Sequence, residues 1–189
     1  MNIKQVVLLI ASIPLFCHAQ TENTFNWNEA KLTWNDYYAK PDTTQSSSIA
    51  VAVSYTDFNY KVDMEGNGKL LDVQVDCFFC RSKSWALERG KSDEILQREQ
   101  LHFDLTEKYA RLFRKELQDH KWEEKTFQKD FQAIYKKLRL DHTTEQKTYD
   151  RETKRGKDAA KETEWKNKVA KDLRNLDKYD SPTFTVKLK

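Results

Sequence analysis

The sequence has few of the residues that build phosphate-binding loops, and it lacks a long apolar run. It contains 4 glycines among 189 residues, and no glycine-rich loop that holds a phosphate group is recognisable. No Ser/His/Asp arrangement of a nucleophilic hydrolase is recognisable either. The apolar run at residues 6–16 is too short to cross a membrane. The sequence therefore argues against a nucleotide-binding enzyme, a serine hydrolase of the usual pattern and a membrane-spanning protein.

The N-terminus has the order of a secretory signal peptide. Lys4 precedes the apolar run and Cys17-His18-Ala19 follows it, so we expect cleavage after Ala19. Phe16, directly before Cys17, is not a small residue, which argues against a lipoprotein. Residues 20–189 are enough for a single domain with a core. The sequence thus predicts an exported protein, periplasmic or extracellular.

Charged residues are abundant, but their signs are mixed. The chain has 33 Lys and Arg against 30 Asp and Glu, for a formal net charge of +3. Basic and acidic residues alternate, as in residues 154–168, where the pattern is typical of a solvated helix. Nucleic acid is therefore not expected as a partner.

Two cysteines remain after the expected cleavage, Cys77 and Cys80, and export would place them in an oxidising compartment. They lack the strand-to-helix setting of a reactive thioredoxin-like motif. In a straight strand their Cα atoms would lie about 10 Å apart, beyond the disulfide limit of about 7 Å. A disulfide therefore requires a turn near Phe78-Phe79. Buried thiols and a metal site are the alternatives.

The first half of the mature chain has strand patterns. Residues 47–61 and 69–79 predict two strands, and Gly66-Asn67-Gly68 between them predicts a hairpin turn. The tail at residues 182–189 alternates apolar and polar residues and predicts an edge strand that returns to the sheet.

The second half has helical periodicity. Ser92 predicts the N-cap of a helix whose inward stripe comprises Ile95, Arg98, His102, Leu105, Tyr109, Leu112 and Phe113. A second helix is expected over residues 127–138, a connection at 141–144, and a third helical segment over 149–176. The expected fold is α+β, with a small, mainly antiparallel sheet packed against about three helices.

Residues 98–102, Arg-Glu-Gln-Leu-His, differ by one residue from the His-Glu-x-x-His signature of zinc peptidases. In that signature, two histidines on one helix face bind zinc, and the glutamate acts as general base. Glu99 and His102 are present, but Arg98 takes the first ligand position. A guanidinium group has no acceptor and stays protonated, so it cannot coordinate zinc. The motif indicates either a coincidence on a charged helix or a site that has lost its activity.

The chain resembles a family of bacterial secreted proteins, domain of unknown function 922, whose members are predicted to be zinc-dependent proteases. Residues 32–37 (LTWNDY) are similar to the family's LTWxDF, and the small-residue strand at 50–55 and Ser84-Trp85 also fit. Residues 98–110 (REQLHFDLTEKYA) are similar to HEQxHFDIxExxA, and residues 149–156 (YDRETKRG) to YDxxTxHG. The resemblance spans most of the mature chain and implies a zincin-like fold for residues 20–189.

The resemblance also implies roles for single residues. In the family, HExxH implies two zinc ligands and the base, and the later HG histidine implies the third ligand. Here Glu99 matches as a vestigial general base and His102 as the one retained ligand, whereas Arg98 and Arg155 replace the other two ligands. The matching positions that would support the site are Tyr149, Asp150, Thr153 and Gly156.

Two arginines would supply the same +2 charge as a zinc ion, and burying Glu99 without a cation would be costly. We therefore hypothesise that Arg98 and Arg155 converge on Glu99, and also on Asp150, as an ion-pair cluster. The alternative is that both arginines lie on solvated helix faces. A separate hypothesis is a minimal zinc set of His102, His142 and Asp150, with His142 in a connection between helices.

Together, these patterns predict an exported, catalytically inactive relative of secreted zinc-dependent proteases. We expect it to act as a binding or scaffold protein for a protein or peptide partner, with no cofactor. One alternative is an active zinc metallopeptidase with an atypical ligand set. Another is a purely structural envelope protein without a cleft.

Overall fold

A computed structural model describes residues 23–41, 50–65 and 69–189. The expected signal peptide, residues 1–19, lies outside the described residues, and so does the expected turn at Gly66-Asn67-Gly68. In the described ranges, no helix combines the length and apolar character needed to span a membrane.

The main sheet is built around one long strand. The strands are β1 (Thr24–Asn26), β2 (Ala52–Val53), β3 (Thr56–Glu65), β4 (Leu70–Cys80), β5 (Trp85–Ala86) and β6 (Thr183–Lys187). β3 pairs antiparallel along the whole of β4, from Thr56 opposite Phe79 to Glu65 opposite Leu70. The other edge of β4 is shared by β1 and β6, while β2 and β5 form a separate two-stranded sheet. The predicted edge strand in the tail is confirmed as β6.

Alternation along β4 sets the two faces of the main sheet, because successive side chains of a strand point to opposite sides. Its inward face consists of Leu71, Val73, Val75, Cys77 and Phe79, all of them buried. β4 stays extended through Cys80, so the turn at Phe78-Phe79 that a disulfide requires is absent. Cys77 and Cys80 are buried and no disulfide joins them.

Three helices follow: α1 (Asp93–Asp119), α2 (Phe127–Glu152) and α3 (Ala159–Asn175). Ser92 caps α1 as predicted, since its side chain accepts a hydrogen bond from the Ile95 amide at 3.3 Å. The predicted connection at residues 141–144 is wrong, because α2 runs straight through it. The hydroxyl groups of Thr143 and Thr144 donate to carbonyls four residues earlier, each at 2.9 Å, and so remain compatible with the helix.

α1 is the central element of the fold. One of its sides packs on the sheet and α2 around an aromatic group that contains Phe58, Tyr60, Phe113, Phe131 and Tyr135. Another side packs on α3 through a second apolar cluster that contains Leu101, Leu105, Tyr149, Trp165, Val169 and Leu173. This arrangement confirms the α+β class predicted from the sequence.

Hydrogen bonds of buried charged side chains also connect α1 to the sheet. Glu107 accepts hydrogen bonds from Arg111 and Arg114, each at 2.9 Å. Arg114 in turn donates to the carbonyl of Val75 in β4, at 2.9 Å from Nη2 and 3.1 Å from Nε. The glutamate in the LTEKYA part of the zinc-peptidase-like motif therefore has a structural role.

Candidate functional site

The candidate site forms where the first half of α1 faces the last turns of α2. It brings together the two separate motifs, since Arg98, Glu99 and His102 come from α1 and Asp150 comes from α2. Glu99 is 2% exposed, and so lies in the protein interior rather than on an open surface.

Arg98 lies between two carboxylates. Its Nη1 donates to Glu99 Oε1 at 2.5 Å, its Nη2 to Asp150 Oδ1 at 2.5 Å, and its Nε to the same Asp150 oxygen at 3.1 Å. Burial alone would lower the pKa of Arg98, but the charges of Glu99 and Asp150 raise that pKa above its ordinary value. The guanidinium group therefore stays cationic in the interior.

Asp150 contacts both basic side chains of the site, those of Arg98 and His102. Besides Arg98, it accepts a hydrogen bond from His102 Nε2 at 3.1 Å. Burial tends to raise the pKa of the Asp150 carboxyl, but the hydrogen bonds and charges of His102 and Arg98 outweigh burial and lower the pKa to about 2. Asp150 is thus ionised throughout the neutral and mildly acidic range.

Gln146 fixes the orientation of the His102 ring. Its amide nitrogen donates to the main-chain carbonyl of His102 at 3.0 Å. Its amide oxygen therefore faces His102 Nδ1. Because His102 Nε2 faces Asp150, each ring nitrogen of His102 has a hydrogen-bond partner.

His142 is neutral, because a hydrogen-bond donor faces one of its ring nitrogens. The same Gln146 amide nitrogen lies 2.9 Å from His142 Nε2, so this ring nitrogen accepts. Burial, followed by the charges of Arg139 and His102, lowers the pKa of His142 to about 4. The sequence predicts His142 in a connection between helices. That prediction is wrong, because His142 is a buried residue of α2.

The motif at residues 149–156 packs around the ion pairs. The Tyr149 ring lies edge-on to His102, with centroids 4.9 Å apart, and its hydroxyl donates to Glu162 at 2.8 Å. Thr153 is buried and donates to the Tyr149 carbonyl at 2.9 Å. Gly156 has a φ of +85°, and a Cβ at this position would lie 3.2 Å from Cδ of Arg98. A glycine here lets the turn close directly onto the Arg98 side chain.

Arg155 does not join the cluster. Its side chain is exposed, and the ion pairs of the described residues do not include it. Lys154 and Arg155 have positive φ values of 53° and 58°, so the turn departs from the helical path just before this side chain. The hypothesis of two converging arginines is correct for Arg98 and wrong for Arg155.

The side chains of the site do not fit a zinc ion. Arg98 offers no acceptor, and both ring nitrogens of His102 already have hydrogen-bond partners, Gln146 and Asp150. His142 Nε2 accepts from Gln146, so the proposed set of His102, His142 and Asp150 does not converge on one point. Within the described parts of the chain, no group of three or more His, Cys, Asp and Glu side chains is arranged to hold a metal ion.

Two contributors to the site, Gln146 and Glu162, are not among the residues predicted from the sequence. Gln146 lies four residues after His142 and four before Asp150, so all three share one face of α2. That spacing is visible in the sequence, but the expected break at 141–144 separates His142 from the later residues. Glu162 gives no such signal, because its position depends on how α3 packs against Tyr149.

Two surface cavities lie away from the ion pairs of Arg98. A groove of about 410 Å³ lies on the outer face of the sheet beside Asp72 and Thr185. A smaller cavity of about 130 Å³ lies between Trp27 and Pro182. Neither of these two cavities includes Glu99, so neither can present it to a substrate.

Comparison with known proteins found no match to the chain among family models, curated proteins or solved structures.

Proposed function

We propose that this chain is an exported, non-catalytic relative of secreted zinc-dependent proteases. It would act by binding a protein or peptide partner, or as a scaffold. The observation that carries the proposal is the Arg98 guanidinium, which lies 2.5 Å from both Glu99 and Asp150. The family resemblance assigns a metal ligand to position 98 and a general base to position 99. In this chain an ion pair uses both side chains.

The charges of the site support the same proposal. The Arg98 guanidinium is a cation that lies between two carboxylates, those of Glu99 and Asp150. Buried charges are tolerated when they are paired and hydrogen-bonded. Arg98 therefore supplies positive charge beside Glu99, where the family resemblance would place a zinc ion.

The position of Glu99 argues against hydrolysis. A general base must reach the proton that it removes, directly or through one water molecule. Glu99 is buried and accepts a hydrogen bond from Arg98. A carboxylate held in this way is a poor base for activating water, so a binding or scaffold role fits the site better than peptidase activity.

Calorimetric titration of the mature protein with zinc at neutral pH tests the proposal against an active metallopeptidase with an atypical ligand set. We expect no stoichiometric binding. One-to-one binding with a dissociation constant in the micromolar range or tighter would overturn the proposal. Cleavage of an unstructured protein substrate that a chelator abolishes would overturn it as well.

Export is a separate element of the proposal and needs its own test. Expression of the full chain in a bacterial host, followed by fractionation and N-terminal sequencing, should yield a periplasmic or released protein that begins at Gln20. A cytoplasmic protein that retains residues 1–19 would contradict export and leave the interpretation of Arg98 unchanged.

A further inference from the structure

The end of α2 and the turn into α3 carry five exposed cations, which we call the cationic corner: Lys147, Arg151, Lys154, Arg155 and Lys157. In the described part of the chain, Lys154 is the one member that pairs with a carboxylate, that of Asp158 at 3.4 Å. The other four are exposed.

Acidic residues of the same segment offset part of this charge. Asp150 is bound to Arg98 and His102. Counted with Glu152 and Asp158, it leaves residues 147–158 with five positive and three negative charges, a formal net charge of +2 (5 − 3).

Two members of the cationic corner have an unusual backbone conformation. Lys154 and Arg155 have φ values of 53° and 58°, in the left-handed region that glycine and asparagine adopt at lower cost. The fold alone would favour those residues at both positions. Costly conformations of this kind concentrate at functional sites.

The helix dipoles do not explain the cationic corner either. Cations near the C-terminus of α2 are favourable, which accounts for Lys147 and Arg151. Lys157, however, directly precedes Asp158, the N-cap of α3, and the positive end of a helix dipole disfavours a cation there.

We propose that the cationic corner docks reversibly on an anionic phospholipid surface. Clusters of four to eight Lys and Arg residues on an amphipathic helix bind anionic lipids in this way, and Lys147 and Arg151 lie on the exposed side of α2. Tyr149 is the one aromatic residue in the segment and it is buried, so the cationic corner has no aromatic surface for stacking nucleic-acid bases. This inference is independent of the proposed loss of catalysis.

Co-sedimentation of the mature protein with phosphatidylcholine vesicles, with and without phosphatidylglycerol, tests the proposal. We expect binding to the anionic vesicles only, and we expect salt to weaken it because the Debye length shortens. The double variant Arg151→Gln and Arg155→Gln should bind about 30-fold more weakly, since each cation near the surface contributes about fivefold.

A matched control is the double variant Lys129→Gln and Lys136→Gln, which removes two exposed cations of α2 outside the cationic corner. It should bind to the vesicles as tightly as the parent does.

The variant Arg155→Gly separates lipid binding from folding, because glycine adopts the left-handed backbone conformation at lower cost. We expect unchanged or higher stability together with about fivefold weaker binding to the vesicles. Equal losses in both double variants would overturn the proposal. So would the absence of lipid-dependent binding at low salt, or binding to an oligonucleotide but not to vesicles.

Discussion

The guanidinium group of Arg98 joins Glu99 on its own helix to Asp150 on α2, with a contact of 2.5 Å to each carboxylate. The two carboxylates differ in their environments. The Glu99 side chain is 3% exposed and the Asp150 side chain is 32% exposed, so Glu99 depends more on Arg98 for its charge balance.

Replacement of Arg98 should therefore destabilise the fold strongly. Arg98→Met leaves Glu99 buried without its cation, and breaking a buried ion pair from one side costs about 3–5 kcal/mol. We expect that decrease in the free energy of unfolding, measured by urea denaturation at neutral pH. Arg98→Lys should lose less, because it keeps the charge but not the forked geometry.

The matched control for Arg98 is Arg155→Met, which removes the other arginine at a presumed ligand position. Since Arg155 is exposed and has no ion pair among the described residues, its replacement should change the free energy of unfolding by no more than about 0.5 kcal/mol. Similar losses in the two variants would contradict the different roles assigned to these arginines.

Helical periodicity is enough to predict the position of Arg98 beside His102, because residues four apart on a helix share a face. It is not enough for Arg155. That side chain follows a turn in which Lys154, Arg155 and Gly156 all have positive φ values, and only Gly156 signals such a conformation in the sequence. The full length of α2 is also not predicted, because the polar stretch at residues 141–144 resembles a loop. The packing of His142 and Tyr149 against α1, which keeps this stretch helical, is visible only in the structure.

The two interior histidines should differ in their hydrogen bonds. We expect nitrogen NMR to show hydrogen bonds at both ring nitrogens of His102, since Nε2 faces Asp150 and Nδ1 faces Gln146. At pH 7, His142 should show one unprotonated nitrogen, its Nε2, because that atom accepts from Gln146. Both residues can be read in one spectrum, so each serves as a reference for the other. A protonated Nε2 in His142, or a His102 ring nitrogen without a hydrogen bond, would refute the geometry described for the site.

A single substitution should create a zinc site from this arrangement. With Arg98→His, two histidines four residues apart would face Asp150, which Arg98 and His102 both reach in the parent. Calorimetry should then show one-to-one zinc binding that the parent lacks. Adding Asp150→Asn should abolish it, since the amide is a weaker zinc ligand than the carboxylate.

Arg155→His should add nothing to the zinc affinity of Arg98→His, because residue 155 projects into solvent. The family resemblance alone suggests the opposite, a requirement for both histidines. Zinc binding that appears only in the double histidine variant would therefore show that the turn at Lys154–Gly156 closes over the site in solution, against the placement described above.

His142 should make the protein less stable in mild acid. Its pKa is lowered from an ordinary value of 6.5 to about 4, first by burial and then by the charges of Arg139 and His102. Between these two values the unfolded chain binds a proton that the folded chain does not, so the free energy of unfolding falls as the pH decreases from 6.5 toward 4. The full effect is at most about 3 to 4 kcal/mol, because lowering a pKa by one corresponds to about 1.4 kcal/mol. Urea denaturation across this range should show a smaller pH slope in His142→Gln, which has no titrating group at this position. An identical slope in parent and variant would assign the acid sensitivity to other residues.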